Sequence, residues 1–81
     1  MRTHKIKTWI EYFQDVVDGR KKFEVRKNDR NYQVGDKLLL EEYDPSQNDY
    51  TGRNIFVEVI YILKNNKFVL DGFVIMGIKK Q

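Results

Sequence analysis

The stretch from Thr8 to Arg26, TWIEYFQDVVDGRKKFEVR, decides the fold because its apolar period changes along it. Before Gly19, apolar side chains recur every three or four residues, which predicts an amphipathic helix. After Gly19, apolar and charged side chains alternate, which predicts a strand with one buried face. A helix followed by a strand in so short a chain indicates the α+β class.

The helix is predicted to span Trp9 to Asp18. Thr8 and Glu11 have the spacing of a capping box, in which a hydroxyl and a carboxylate satisfy free amide groups at the helix start. Gly19 supplies the left-handed residue that ends the helix. The apolar face consists of Ile10, Phe13, Val16 and Val17.

Outside the helix the chain predicts about five strands. They lie at residues 3–7, 22–26, 38–43, 55–63 and 73–78. Residues 55–63 are apolar on both faces except at Glu58, so we expect this strand in the middle of a sheet. The order β-α-β-β-β-β predicts a mainly β fold, in which a small closed or nearly closed β-barrel packs against the helix.

Length and composition restrict the class of protein. Eighty-one residues, 41% of them hydrophobic, provide one modest core, so we predict a single domain over residues 1–81. The chain has no cysteine, which excludes disulfides and cysteine zinc sites and is typical of a reducing compartment. No apolar run approaches the roughly 18 residues of a membrane span. We therefore expect a cytoplasmic protein that needs no membrane, metal or cofactor.

The net charge of +3 is distributed in blocks along the chain. Residues 1–30 hold nine Lys or Arg against five Asp or Glu, residues 31–60 hold two against six, and residues 61–81 hold four against one. If the two basic ends meet in the fold, they form a positive face that suits a phosphate-bearing partner. A mixed surface that only maintains solubility explains the same counts, and both interpretations stay open.

The residue inventory also excludes several catalytic classes. With no cysteine and a single histidine, thiol proteases and zinc hydrolases of the His-cluster type are excluded. The five glycines are scattered, so there is no Gly-rich phosphate loop. Hydroxyl groups are scarce, and ordinary serine-type catalysis is not expected.

The candidate site is the charged segment from Gly19 to Arg30, GRKKFEVRKNDR. Strand alternation predicts that Lys22, Glu24 and Arg26 share one face, opposite two apolar residues. A carboxylate between two cations stays ionised and can orient a guanidinium toward a phosphate or a base edge. A solvated ladder of surface ion pairs, each worth under about 1 kcal/mol, explains the same pattern without any site.

Four segments in a fixed order carry a family resemblance: His4-x-x-Lys7, Gly19-x-Lys21-x-x-Glu24-x-Arg26, Asn28-Asp29-Arg30 and Val34-Gly35-Asp36. Together they resemble the ASCH domain (activating signal cointegrator homology), which has a PUA-like β-barrel fold. The resemblance extends over the whole chain and is to small stand-alone proteins of bacteria and phages. It implies RNA binding in a cleft between barrel and helix.

We therefore predict a non-catalytic module that binds RNA or nucleotides. The predicted binding residues are His4, Lys7, Trp9, Lys21, Lys22, Glu24, Arg26, Lys27, Asp29 and Arg30. In this prediction cations contact phosphates and base edges while Glu24 orients them. The prediction includes neither catalytic residues nor metal ligands.

Two alternatives stay open. One ASCH relative is an amidohydrolase of N4-acetylcytidine and related amides that uses a Lys, a Thr and a Glu. Lys21 matches its lysine, but Glu24 stands at the position of its threonine, and residues 73–80 offer no carboxylate. An amidohydrolase acting on N4-acylated cytidines would here depend on Lys21 and Glu24. The second alternative is a structural or partner-binding module, which an exposed apolar patch near Trp9, Tyr12 and Phe56 would indicate.

Overall fold

The computed structural model describes every residue from Met1 to Gln81. Its elements are β1 (Thr3–Trp9), α1 (Ile10–Val17), β2 (Phe23–Lys27), β3 (Lys37–Asp44), β4 (Asp49–Leu63) and β5 (Phe73–Lys80). The fold is α+β and mainly β, so the predicted order of one helix after the first of five strands is confirmed. None of its helical structure is long and apolar enough to cross a lipid bilayer.

The five strands form one curled sheet in the order β1-β3-β4-β5-β2. β1 runs parallel to β3, and every other neighbouring pair is antiparallel. β4 lies in the middle, as predicted for residues 55–63, although it already begins at Asp49. A register shift between Val59 and Tyr61 bends β4 against β5 and helps the sheet to curl.

The inner surface of the curled sheet holds the hydrophobic core. Strand side chains fill it at alternate positions, and Phe13 and Val16 of α1 pack onto it, each about 1% exposed. The strand residues of this core are Ile6, Leu38, Leu40, Val57, Val59, Val74, Met76 and Ile78. Tyr32, between β2 and β3, completes it. In the sheet every second side chain of a strand is therefore buried, and in the helix the apolar face is buried. Both results agree with the spacing of apolar residues in the sequence.

The sheet is not closed by backbone pairing, because β1 and β2 lie at its two ends. Arginine side chains cover the open edge of β1 instead. Arg26 Nη2 of β2 donates to the carbonyl oxygen of Lys7 at 2.7 Å, and Arg30 Nη1 donates to that of Lys5 at 2.6 Å. We call these contacts the arginine seam. It satisfies strand-edge carbonyls that would otherwise be open to another chain.

The helix start differs from the prediction. The helix spans Ile10–Val17, its N-cap is Trp9, and no side chain caps it, so the Thr8–Glu11 capping box is wrong. Thr8 instead lies in β1, paired with Glu42 of β3, and is 2% exposed. The parallel ladder continues through Trp9, and this pairing outweighs the local capping preference. Gly19 has a φ of +81°, as predicted for the residue that ends the helix.

Candidate functional site

A cavity of about 570 Å³ lies at the gap between the two edge strands. It is lined by residues of β1, α1 and β2 and by the segment that joins α1 to β2. The lining residues are Lys7, Thr8, Trp9, Tyr12, Lys21, Phe23, Glu24, Val25 and Arg26. Its volume lies within the roughly 300–1,000 Å³ of small-molecule sites. We call it the edge-strand cavity.

Strand β2 has the predicted alternation but the opposite orientation. Glu24 is buried at 4% exposed, whereas Phe23 and Val25 are 47% and 50% exposed. The prediction that the two apolar residues face the core is therefore wrong. A period of two defines two faces without saying which is inside. Here the inner face takes the carboxylate, because cations from Lys21 and Arg26 accompany it into the interior.

The carboxylate of Glu24 is satisfied on one side only. Lys21 Nζ lies 3.0 Å from Oε2, and the same ammonium donates to the carbonyl oxygen of Phe23 at 2.7 Å. Oε1 has no hydrogen-bond partner, and the nearest cationic nitrogen, Arg26 Nη2, is 3.8 Å away. Leaving a buried acceptor unpaired costs about 1–3 kcal/mol. This oxygen has almost no accessible surface, so a ligand's N–H or O–H group reaches it only if the side chains around it, Arg26 first among them, move aside.

Arg26 reaches the cavity with its guanidinium already engaged. Nη2 donates to the carbonyl oxygen of Lys7 and lies 3.5 Å from the hydroxyl of Thr8, while Nε is buried without a partner. The sequence predicted a free planar fork at this position. In the fold one arm of that fork, Nη2, belongs to the arginine seam, so Arg26 shapes the cavity and holds β1 next to β2.

Aromatic rings form the more open walls of the cavity. Trp9, Tyr12 and Phe23 are each close to half exposed, at 48%, 49% and 47%. Exposed rings offer flat faces on which a planar ligand can stack. The neighbouring carboxylate of Glu11 raises the pKa of Tyr12, whose hydroxyl is protonated at neutral pH even at its usual value near 10. The Lys7 ammonium lies 4.2 Å from the centre of the Tyr43 ring, beside the same opening.

Half of the predicted site residues meet at this cavity. Those that line it are Lys7, Trp9, Lys21, Glu24 and Arg26. Those that lie elsewhere are His4, Lys22, Lys27, Asp29 and Arg30. Sequence reasoning did not place Thr8, Tyr12, Phe23 and Val25 in the binding set. Of these four residues, only Tyr12 gave a sequence signal for the cavity, as an aromatic residue on the first turn of the helix. Thr8 resembled a helix cap, and Phe23 and Val25 resembled core residues.

His4 lies in a separate buried cluster. Its Nε2 donates to Asp36 Oδ2 at 2.8 Å. Its ring packs edge-to-face with the ring of Tyr32, and the two ring centres are 4.9 Å apart. Asp36 also accepts from the backbone N–H groups of Arg2 and Gln33. Burial alone would raise the pKa of Asp36, but these hydrogen bonds outweigh it and lower the pKa below its usual range. The cluster joins the start of β1 to the turn before β3.

The other four residues outside the cavity lie on the surface. Arg30 is part of the arginine seam, and Lys27 and Asp29 are exposed at and just beyond the end of β2. The prediction that Lys22 shares a face with Glu24 and Arg26 is wrong: Lys22 precedes the first residue of β2 and lines a second, smaller crevice on the far side of Lys21. No group of three or more His, Asp or Glu side chains is arranged to hold a metal ion.

Comparisons with known proteins identify a family and a fold. The profile of a family described as "Domain of unknown function (DUF3850)" matches residues 3–78. An uncharacterized 12.9 kDa protein in the GpA 3′ region of Escherichia phage P2 is 43% identical over 54 residues, or 67% of this chain. The chain spans about half, 48%, of the length of that curated relative. The crystal structure of hypothetical protein PH0355 has a TM-score of 0.67 and 18% identity, with both chains fully covered, which shows a common fold alone.

Proposed function

The chain belongs to the DUF3850 family, and we propose that it is a non-catalytic module that binds RNA or nucleotides by taking one base into the edge-strand cavity. We further propose that it is an ASCH-like member of the PUA-like β-barrels. The ordered motifs from His4 to Asp36 and the curled five-strand sheet support this assignment. The similarity to a phage protein supports a bacterial, cytoplasmic setting.

The observation that carries the proposal is the unpartnered oxygen of Glu24. Bases present amino or imino N–H groups on their edges, and single-stranded RNA exposes those edges to protein side chains. An N–H group from a base would satisfy Oε1 once the Arg26 side chain moves aside, while Lys21 stays bonded to Oε2. Binding then removes the cost of an unpaired buried acceptor.

The walls of the cavity support the same ligand. Stacking of a base on an aromatic ring is worth about 1–3 kcal/mol, and three half-exposed rings are available at Trp9, Tyr12 and Phe23. Lys7 places a cation at the opening, where a phosphate attached to the bound nucleoside would lie. A planar, uncharged base with a phosphate outside is the ligand that fits this distribution.

Hydrolysis of an N4-acylated cytidine is the second candidate, because the free oxygen of Glu24 lies beside the Lys21 ammonium. Glu24 could take a proton from water while Lys21 polarises the amide carbonyl. The contacts of Lys21 favour binding over this chemistry: its ammonium is already bonded to Glu24 Oε2 and to the Phe23 carbonyl oxygen. One remaining donor is left for a substrate.

The partner-binding alternative depends on exposed apolar surface. Trp9, Tyr12 and Phe56 are all half exposed, but the first two line the edge-strand cavity. A cavity with a buried carboxylate suits a polar planar ligand better than an apolar protein surface. Capture of a protein in place of RNA would favour this alternative.

The proposal is tested by titrating fluorescein-labelled single-stranded RNA of mixed sequence at low salt. The comparison is between wild type, Glu24→Gln and the control Asp71→Asn, which changes an exposed carboxylate in the loop before β5, outside both cavities. In Glu24→Gln, Lys21 holds the oxygen of the new amide, so an NH₂ group takes the place of Oε1 and repels a base donor. We expect Glu24→Gln to weaken binding by about 5- to 150-fold, the equivalent of about 1–3 kcal/mol.

Three results would contradict the proposal or redirect it. Absence of RNA binding by the wild type would overturn it, and so would equal affinities of wild type and Glu24→Gln. Release of cytidine from N4-acetylcytidine by the wild type, abolished in Glu24→Gln, would establish the hydrolase instead.

A further inference from the structure

A second cavity, of about 250 Å³, lies beyond Lys21 at the carboxyl end of α1. Every charged side chain that lines it is a lysine, and its other lining residues are apolar except for the glycine that ends the helix. The lining residues are Val16, Gly19, Lys21, Lys22, Val57, Ile60, Ile78, Lys79 and Lys80. We call it the lysine crevice.

The fold brings these lysines together from distant parts of the chain. β2 pairs with β5 in the antiparallel sense, with Phe23 opposite Gly77, so the residues before β2 lie beside the end of β5. The backbone N–H of Ile78 donates to the carbonyl oxygen of Lys22 at 3.0 Å and fixes this contact. The basic first and last thirds of the sequence therefore meet here, and the crevice is their common surface.

No carboxylate lines the crevice. Lys22, Lys79 and Lys80 form no salt bridge. The acidic residues at the end of α1, Asp15 and Asp18, are instead paired with Arg20 at 3.0 and 3.1 Å. Lys80 Nζ donates to the carbonyl oxygen of Val17 at 2.9 Å, and so offsets the negative end of the helix dipole.

The crevice and the edge-strand cavity share Lys21 as a lining residue. Lys21 and Lys22 precede β2, and strand alternation does not govern them. Lys21 pairs with Glu24 and lines both cavities, whereas Lys22 lines only the crevice. A ligand longer than one nucleotide can extend across Lys21 from one cavity to the other.

We propose that the lysine crevice binds a backbone phosphate of the RNA strand whose base occupies the edge-strand cavity. This inference rests on the proposed function, because it assumes that the base is RNA. The ammonium groups of Lys22 and Lys79 supply the contacts, since both side chains are exposed and neither forms a salt bridge, although Glu58 lies opposite Lys79 in the β4–β5 ladder. The apolar floor at Val57, Ile60 and Ile78 lowers the local dielectric and strengthens the attraction between lysine and phosphate.

The test compares a Lys22→Ala/Lys79→Ala double variant with a Lys64→Ala/Lys67→Ala control. Both pairs remove two positive charges, but the control pair lies beyond the end of β4, outside the crevice. Each protein is titrated with an RNA tetranucleotide and with the mononucleosides, at several salt concentrations. We expect the crevice variant to bind the tetranucleotide about 10-fold more weakly, with its log–log salt slope reduced by about 0.7. Mononucleoside binding stays at the wild-type value.

The outcomes separate this inference from the proposed function. A tetranucleotide affinity and salt slope equal to those of the control variant would overturn the inference and leave base binding in the cavity intact. A wild type that binds neither tetranucleotide nor mononucleoside would overturn both. A melting temperature equal to that of the wild type would show that the double variant is folded. We expect this result because both substituted lysines are exposed.

Discussion

Lys21 Nζ lies 3.0 Å from Glu24 Oε2, and the two side chains are 15% and 5% exposed. The pair is asymmetric, because the lysine retains a route to solvent while the carboxylate has almost none. It forms the floor of the edge-strand cavity, and it leaves Glu24 Oε1 without a hydrogen bond. The stability of this protein and the base binding that we propose therefore involve the same two side chains.

The asymmetry predicts unequal costs of removing each partner. Lys21→Met leaves the buried carboxylate without its hydrogen-bonded cation and with only Arg26 Nη2 at 3.8 Å, which costs about 3–5 kcal/mol. Glu24→Gln keeps the hydrogen bond from Lys21 to the side-chain oxygen and leaves the lysine its route to solvent, so it should cost only about 1–3 kcal/mol of unfolding free energy. Urea unfolding of both variants measures the difference, with Lys64→Met as a surface control. Equal costs, or a larger cost for Glu24→Gln, would contradict this description of the pair.

The arginine seam predicts self-association when it is removed. In an Arg26→Ala/Arg30→Ala variant, the carbonyl oxygens of Lys5 and Lys7 lose their side-chain donors, and the edge of β1 becomes available for pairing. We expect sedimentation to detect dimers or larger species at concentrations where the wild type is monomeric. The matched control is Arg20→Ala/Arg53→Ala, which also removes two positive charges but leaves the seam intact. A double variant that sediments as the control does would show that the seam is not what protects the edge.

The Asp36 cluster predicts a stability that falls in acid. Its hydrogen bonds lower the pKa of Asp36 in the folded state below the usual value near 3.8, so the unfolded chain takes up the proton first as pH falls. The stabilisation is complete above about pH 5 and is lost as pH drops through the folded-state pKa, below about pH 4. Unfolding free energies of wild type and Asp36→Asn should therefore converge in acid and stay apart at neutral pH.

A control and an independent measurement accompany this prediction. Asp71→Asn, in the exposed loop before β5, should show no such convergence. In case Asp36→Asn does not fold, the carboxyl carbon of Asp36 in the wild type can be titrated by NMR. A midpoint at or above 3.8 would show that the hydrogen bonds from His4 and the backbone do not outweigh burial.

Trp9 predicts an optical signal of binding. It is the one tryptophan of the chain, it is 48% exposed, and it lines the edge-strand cavity. A stacked base should quench its fluorescence, and Trp9→Ala should weaken RNA binding by about 1–3 kcal/mol. Tyr61→Ala, which removes an exposed ring outside the cavity, should bind as the wild type does. Saturable RNA binding that leaves the Trp9 emission unchanged would place the bound base elsewhere.

The order of helix and strands could be predicted because it follows from the local spacing of apolar residues. The change of period at Gly19 and the long apolar run at residues 55–63 correctly indicated the helix, the strand after it and the central strand. The helix start could not be predicted in this way, because Thr8 is held by its ladder with Glu42, which lies 34 positions further along the chain.

The candidate site was only partly predictable for a related reason. Alternation in β2 indicated that Glu24 and Arg26 share a face, but which face is inside depends on the cation of Lys21 and on the neighbouring edge strand. His4 was assigned to the cleft by family resemblance, whereas its partner Asp36 becomes apparent only after the chain has folded. Patterns within the sequence thus located the segment, and contacts between distant residues determine how its side chains are arranged.

The most direct test of the central claim is to locate a bound base by NMR. Unlabelled single-stranded RNA is added to ¹⁵N-labelled wild type, and shifts are followed at the Trp9 indole N–H and at the backbone amides of Lys21 and Glu24. The account predicts saturable shifts at these groups, with little change at Tyr61 and Phe68 on exposed surface outside the cavity. Saturable shifts confined to residues outside the edge-strand cavity, or no shifts at all, would contradict it.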